Sequence, residues 1–138
     1  MKSYLAITAA IAIVGSSVFL AAQLSAGADQ PKKPQPMLMH NVFFALKDPT
    51  DAAKRDLVAG CRTYLSGQPG AVFFAAGVLA EECNRPVNDR DFDVALHIVF
   101  KDKAAHDAYQ KNEQHLAFAK QYDSLFKKIR VFDSLVEK

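Results

Sequence analysis

Three residues whose side chains exchange protons stand out in this 138-residue chain, namely His40, Tyr109 and His115. His40 opens an apolar segment, and Tyr109 and His115 lie six residues apart in a second segment farther along the chain. Around one apolar cavity, a neutral histidine can take a proton from a carbon acid while a tyrosine hydroxyl stabilises the developing enolate. The alternative is structural, because a buried histidine often bonds a backbone carbonyl and a tyrosine ring often packs in a core. These residue types indicate a shared site and leave open whether any reaction takes place there.

The N-terminal segment has the pattern of a secretory signal. After a single lysine, an uncharged and mostly apolar run ends in Ala26-Gly27-Ala28, which matches the A-x-A signature of signal peptidase cleavage. We therefore expect residues 1–28 to be a cleaved signal peptide and the protein to be exported, and the alternative is an N-terminal membrane anchor. Residues 29–36 contain three prolines and no aliphatic side chain, so they are predicted to form a flexible linker.

The remaining residues, 37–138, have the length of one small domain. Their hydrophobic periodicity changes between the spacing of strands and that of helices. The predicted elements are a strand at 38–46, a helix before Gly67, a strand at 71–79, a polar connection at 80–91, a strand at 92–100, a helical region at 103–126 that is interrupted and re-capped at Asn112, and a strand at 129–135. This β-α-β-β-α-β order predicts an α+β fold of the ferredoxin-like type, with an antiparallel sheet that carries its helices on one face.

The predicted sheet has more apolar surface than its helices can cover. Two helical regions are enough for one face, yet the strands also carry apolar side chains at the alternate positions that point the other way. These positions are Met39, Phe43, Ala45, Phe73 or Phe74, Ala95 and Val99. An uncovered apolar face of this kind favours a symmetric homodimer.

The motifs and their order resemble those of the stress-responsive A/B barrel (Dabb) family. The matching segments are the strand opening H-x-V-x-F (His40 to Phe44), the strand F-D-x-A-L-x-x-x-F (Phe92 to Phe100), the helix segment Y-x5-H-x-x-F (Tyr109 to Phe118) and the closing V-F-D (Val131 to Asp133). The resemblance implies a ferredoxin-like subunit that pairs into a dimeric α/β barrel. Many members carry His-Pro where this chain has Asn112-Glu113.

The same resemblance bears on the three proton-carrying residues. A plant member of the family catalyses an intramolecular aldol cyclisation of a polyketide, and its catalytic tyrosine and histidine correspond to Tyr109 and His115, while a strand histidine corresponds to His40. Most members have no assigned reaction, and a shared fold does not transfer a function. The resemblance therefore implies a pocket and leaves its chemistry open.

Geometry also predicts this pocket. His40 is expected to lie on the helix-covered face of the sheet, and a helix capped by Asn112 would hold His115 in its first turn, where the helix dipole favours the neutral ring. The apolar walls are expected to be Val42, Leu57, Val58, Cys61, Leu96, Ile98 and Phe126.

The first hypothesis for the function is a protein that binds a small apolar or aromatic ligand without turnover. The alternative is a cofactor-independent lyase or cyclase acting on a polyketide-like carbonyl compound through Tyr109 and His115, and oxygen chemistry as in related monooxygenase barrels is a third reading.

Several other functions find no support in the sequence. The chain has no HxH, HExxH or CxxC spacing, no G-x-S-x-G, no Walker loop and no G-x-G-x-x-G, so we expect no metal and no cofactor. A net charge of +2 without a basic stripe gives no case for nucleic-acid binding, and no membrane partner is expected after signal cleavage.

Two further expectations concern single residues. We expect His106 to be exposed to solvent. Cys61 and Cys83 are expected to remain unbridged, because their offsets along a helix and a strand would separate the sulfur atoms.

Overall fold

A computed structural model describes residues 35–137 of the chain. Its elements are β1 (Met37–Leu46), α1 (Asp51–Gly60) continued by one π-helical turn (Cys61–Leu65), β2 (Ala71–Val78), β3 (Val94–Phe100), α2 (Lys103–Tyr109), α3 (Glu113–Tyr122) with a 3₁₀ turn (Asp123–Leu125), and β4 (Phe126–Val136). The predicted signal peptide and most of the predicted linker lie outside the described residues. None of the helices in the described range has both the length and the apolar character needed to span a bilayer.

The four strands form one antiparallel sheet in the order β2-β3-β1-β4. The order of elements along the chain confirms the predicted α+β, ferredoxin-like arrangement. The predicted helix break is also present: Asn112 caps α3, and its side-chain oxygen accepts a hydrogen bond from the backbone N–H of Gln114 at 2.8 Å. The second helical region is therefore two helices, and His115 lies in the first turn of α3.

β1 begins one residue earlier than predicted, at Met37, and two other strands begin two or more residues away from the predicted positions. β3 begins at Val94 and not at Phe92, because the Asp93 carboxylate takes the place of a backbone carbonyl and accepts from the Leu46 N–H at 2.8 Å. β4 begins at Phe126, three residues earlier than predicted, because the turn after α3 ends at Leu125.

The hydrophobic core lies between the helices and one face of the sheet. Alternate residues of β1 and β3 point towards α1, which contacts β2 and β3. Gly60 lets α1 and α3 approach each other, because a methyl group there would overlap the phenol ring of Tyr122. Both cysteines are free thiols, with Cys61 buried in this core and Cys83 exposed. The large side chains that are fully buried are Phe100, Leu57, Leu65, Leu96, Ile98, Val94 and Cys61.

Within residues 35–137, no helix covers the opposite face of the sheet, which presents aromatic side chains. Phe73 lies opposite Val99 on this face and is 54% exposed, whereas Phe74 lies opposite Ile98 and packs against the core. The ring of Phe43 makes edge-to-face contacts with its neighbours, including Phe132, which is 53% exposed. In the single chain, part of an apolar sheet face therefore meets solvent.

We expect Leu57→Ala to lower the free energy of unfolding by about 2–5 kcal/mol, because Leu57 is completely buried and its removal leaves a cavity. Leu116→Ala is the matched control, since Leu116 is more than half exposed on α3 and should change stability by no more than about 0.5 kcal/mol. Urea denaturation followed by circular dichroism measures both values. Equal losses in the two variants would contradict this placement of α1.

Candidate functional site

A cavity of about 290 Å³ lies on the helix-covered side of β1 and β4, below α3. His40, Tyr109 and His115 all border it, so the fold brings the three predicted site residues together. Its other lining residues are Val42, Phe44, Leu65, Leu96, Gln110, Phe118, Ala119, Asp123, Phe126, Ile129, Val131 and Asp133. The cavity is therefore apolar over most of its wall and polar where the two histidines and the tyrosine meet.

His40 is held by a carboxylate on the neighbouring strand. The register of β1 and β4 places His40 opposite Asp133, and the Nδ1 of His40 lies 2.6 Å from the Oδ1 of Asp133. Burial lowers the pKa of His40, and the hydrogen bond and charge of Asp133 offset part of that effect. A neutral ring that donates from Nδ1 to Asp133 satisfies these contacts, and this bond fixes the orientation of the imidazole.

Tyr109 ends α2 and contacts both histidines of the predicted site. Its ring centroid lies 5.8 Å from that of His40 and 4.6 Å from that of His115. Within residues 35–137, no hydrogen bond joins its hydroxyl to another protein group. Burial raises the pKa of Tyr109, so the hydroxyl stays protonated at neutral pH and is a hydrogen-bond donor for a ligand.

His115 presents an unprotonated nitrogen. Its Nδ1 lies 3.3 Å from the carbonyl oxygen of Gln110, and because a carbonyl only accepts, Nδ1 carries the hydrogen. Burial lowers the pKa of His115 below the ordinary value of 6.5. The positive end of the α3 dipole acts in the same direction, because it disfavours the charged ring. The neutral ring therefore keeps a lone pair on Nε2, and no other group among the described residues hydrogen-bonds it.

The seven residues predicted for the apolar walls divide between the cavity and the core. Val42, Leu96 and Phe126 line the cavity. Leu57, Cys61 and Ile98 are instead fully buried in the core, and Val58 packs against that core. The reason is that α1 lies over β2 and β3, whereas the cavity lies beside β1 and β4.

Cys61 is consequently not a cavity thiol. Burial raises its pKa to about 12, so the thiol remains protonated and is a poor nucleophile at neutral pH. Its packing is that of a small hydrophobic residue.

The expectation that His106 is exposed is wrong. The residue is 9% exposed, and its ring lies between those of His40 and Phe100, with centroid distances of 5.1 and 5.6 Å. The seven-residue helix α2 turns Ala105, His106 and Tyr109 towards the sheet, and such a short helix gives little periodicity from which to predict its buried face.

Asp133 is the main polar residue of the cavity that the site prediction did not include. Its strand alternates so that Ile129, Val131 and Asp133 share the face of the cavity, and only the β1–β4 register shows that His40 lies opposite. That alternation is visible in the sequence, but the register is not. The carboxylate therefore becomes recognisable as a partner of His40 only in the folded chain.

Solved structures with this fold include three informative relatives. A Dabb family protein with a ferredoxin-like fold from Mesorhizobium loti is 22% identical with a TM-score of 0.62, and the match covers 75% of this chain and 100% of that one. A dimeric ferredoxin-like protein of unknown function from Thermobifida fusca is 13% identical with a TM-score of 0.61, covering 78% and 97%. The hydroxynitrile lyase from Passiflora edulis is 20% identical with a TM-score of 0.61, covering 76% and 96%. At these identities the likeness shows the fold alone.

No protein of curated function matches the chain. The family model named Stress Responsive A/B Barrel Domain, or Dabb, matches residues 38–136, which is nearly all of the residues that the structure describes. The strand that carries His40, the helices that carry Tyr109 and His115, and the closing strand with Asp133 all fall inside that match. The chain therefore belongs to the stress responsive A/B barrel domain family.

Proposed function

We propose that this protein is an exported homodimer that binds a small apolar or aromatic ligand in the cavity beside β1 and β4. The observation that carries the proposal is the pairing of an apolar wall with two groups free to bond a ligand. These groups are the Tyr109 hydroxyl, a donor, and the Nε2 of His115, an acceptor.

The size and lining of the cavity define the ligand class. Its volume of about 290 Å³ lies at the lower end of small-molecule sites, which are roughly 300–1,000 Å³, so the ligand is small. Phe118 and Phe126 provide aromatic contacts for a ring or an alkyl group. A carbonyl or hydroxyl oxygen at the polar end would accept from Tyr109, and a hydroxyl would also donate to His115. An aromatic or aliphatic molecule with one such oxygen fits these contacts.

The helix-free face of the sheet supports the homodimer. It exposes Phe73 and Phe132, and covering such a face with a second copy would remove both rings from water. The related structure from Thermobifida fusca is described as dimeric. Export is supported by the N-terminal sequence, in which an uncharged run leads to the A-x-A signature at residues 26–28.

A second candidate function is a cofactor-independent lyase or cyclase. Tyr109 and His115 are in ring contact, and they combine a protonated hydroxyl with an imidazole that is neutral because burial lowers its pKa. In such a reaction, Nε2 of His115 takes a proton from the substrate while the Tyr109 hydroxyl hydrogen-bonds the oxygen on which negative charge develops. The similar fold of a hydroxynitrile lyase motivates the lyase reading, and a polyketide-like carbonyl compound is the substrate class for the cyclase reading.

We expect Phe132→Asp to convert the dimer into a monomer, because the exposed ring would be replaced by a charge that the interface cannot pair. Leu116→Asp is the matched control, since Leu116 is equally exposed but lies on the helical layer. Sedimentation velocity gives the mass of each variant, and circular dichroism checks that each is folded. A folded Phe132→Asp dimer, or a Leu116→Asp monomer, would contradict the assigned interface.

Ligand binding is tested with benzaldehyde as the probe, because it combines an aromatic ring with a single acceptor oxygen. Tyr109→Phe removes the hydroxyl that would bond this oxygen, so we expect binding to weaken by about 1–3 kcal/mol with little change in stability. Tyr64→Phe is the control, since the Tyr64 hydroxyl donates to Gln121 at the surface. Dissociation constants come from NMR chemical-shift titrations. Binding that is unaffected by Tyr109→Phe, or that shifts no cavity resonance, would contradict the proposed ligand geometry.

The lyase or cyclase candidate predicts proton abstraction from a carbon acid. Exchange of the α-hydrogens of phenylacetone into deuterated water, followed by NMR, should be faster with the protein and should return to the background rate in His115→Gln. Since the pKa of His115 is lowered from 6.5, more than half of the base is neutral at pH 6.5, and the midpoint of the fall in the catalysed rate should lie below pH 6.5. No catalysed exchange, or a loss of rate centred above pH 6.5, would exclude His115 as the base.

A further inference from the structure

His40, His106 and Asp133 form a cluster of metal-ligating groups beside the cavity. Each contributes one donor atom, and the three atoms lie within 4.8 Å of one another. They come from β1, α2 and β4, so three separate elements of the fold converge on this point. Both histidines are buried, and the Asp133 side chain is 43% exposed and borders the cavity.

The donor set has the composition of a transition-metal site. Imidazole nitrogen suits zinc, iron, nickel and copper, whereas magnesium and calcium prefer oxygen ligands throughout. In a tetrahedral Zn²⁺ site, bonds of about 2.0–2.2 Å place neighbouring donor atoms roughly 3.3–3.6 Å apart. The donor atoms of this cluster lie within 4.8 Å of one another. Side-chain movements of about 1 Å would therefore bring them to this spacing.

Hydrogen bonds already orient the side chains of this cluster in the protein without a bound ion. The Nδ1 of His40 contacts the Asp133 carboxylate at 2.6 Å, and the Nε2 of His106 lies 3.0 Å from the side-chain amide nitrogen of Gln110, which donates to it. These contacts hold the rings and the carboxylate close together in the protein without a bound ion. A metal ion would replace them with coordinate bonds to the same groups, and if His40 binds it through Nδ1, the Nδ1 proton is released to solvent.

We propose that His40, His106 and Asp133 bind a divalent transition-metal ion of the zinc class. Three protein ligands leave a coordination position for a water molecule or a ligand oxygen, as in catalytic zinc sites. His40 and Asp133 border the cavity, so that position opens towards it. The inference goes beyond the ligand proposal and does not depend on it, because the ion would bind through the protein side chains alone. It also replaces the expectation that the chain holds no metal, which rested on the lack of short motifs; these donors are far apart in sequence.

Titration with metal alone tests the site. The full-length chain with Cys83→Ser, which removes the exposed thiol, is stripped with EDTA and titrated with ZnCl₂ by calorimetry. We expect one ion per chain. His106→Gln and Asp133→Asn should each weaken binding by more than about tenfold, because even the loss of an outer-shell partner costs about 10–100-fold. His97→Gln is the matched control, since His97 bonds Asn41 on the opposite face of the sheet and should leave the affinity unchanged.

Cobalt provides a second readout that reports the ligands directly. CoCl₂ should give visible d–d absorption with the parent protein, which carries only Cys83→Ser, and the added His106→Gln substitution should abolish this absorption. Circular dichroism and the melting temperature establish which variants are folded, and if His106→Gln does not fold, Asp133→Asn carries the test because its side chain is partly exposed. Three results would each overturn the proposal: no zinc binding by the Cys83→Ser parent protein, equal zinc affinity in all variants, or loss of binding in His97→Gln alone.

Discussion

The register between β1 and β4 is the constraint on which the candidate site depends. It places His40 directly opposite Asp133, and the alternation of a strand turns both side chains towards the helices. A slip of one residue would send one of the two to the other face of the sheet and leave a buried imidazole without its carboxylate. The buried apolar residues of β1 that share this face, Leu38, Val42 and Phe44, fix the orientation of β1, because a one-residue slip of that strand would expose them. Core packing and the polar pair therefore specify the same alignment.

The helical layer then decides where the cavity lies and where it opens. α1 covers β2 and β3 closely, and α2 contacts β1 and β3, so the core is closed on that side. The outer strand β4 is covered less completely, and Ile129, Val131 and Leu135 remain exposed on the face that points towards the helices. The gap between α3 and β4 gives a ligand access to Tyr109 and His115 without unfolding of the core. An ion bound by Asp133 would be reached from the same side.

Much of this architecture can be predicted from local sequence patterns. The bounds of β1 and β2 follow from apolar runs flanked by turn residues, and the side chain of Asn112 marks the start of α3. Tyr109 and His115 meet because a short break between two helices brings the end of one beside the first turn of the next. The features that could not be predicted depend on how the helices pack against the sheet. Leu57 and Ile98 belong to the core because of the position of α1 over the sheet, and His106 is buried because of the rotation of a seven-residue helix. No periodicity within a single element determines either.

The central claim is that the polar end of the cavity holds neutral, oriented imidazoles beside a protonated tyrosine. The most direct measurement is long-range ¹H–¹⁵N NMR of the histidine side chains in the protein without ligand, at neutral pH. The account predicts that His40 and His115 are both neutral with the hydrogen on Nδ1, bonded to Asp133 and to the Gln110 carbonyl, and that Nε2 of His115 is unprotonated. A doubly protonated His115, or a hydrogen on Nε2 in place of Nδ1, would contradict the account.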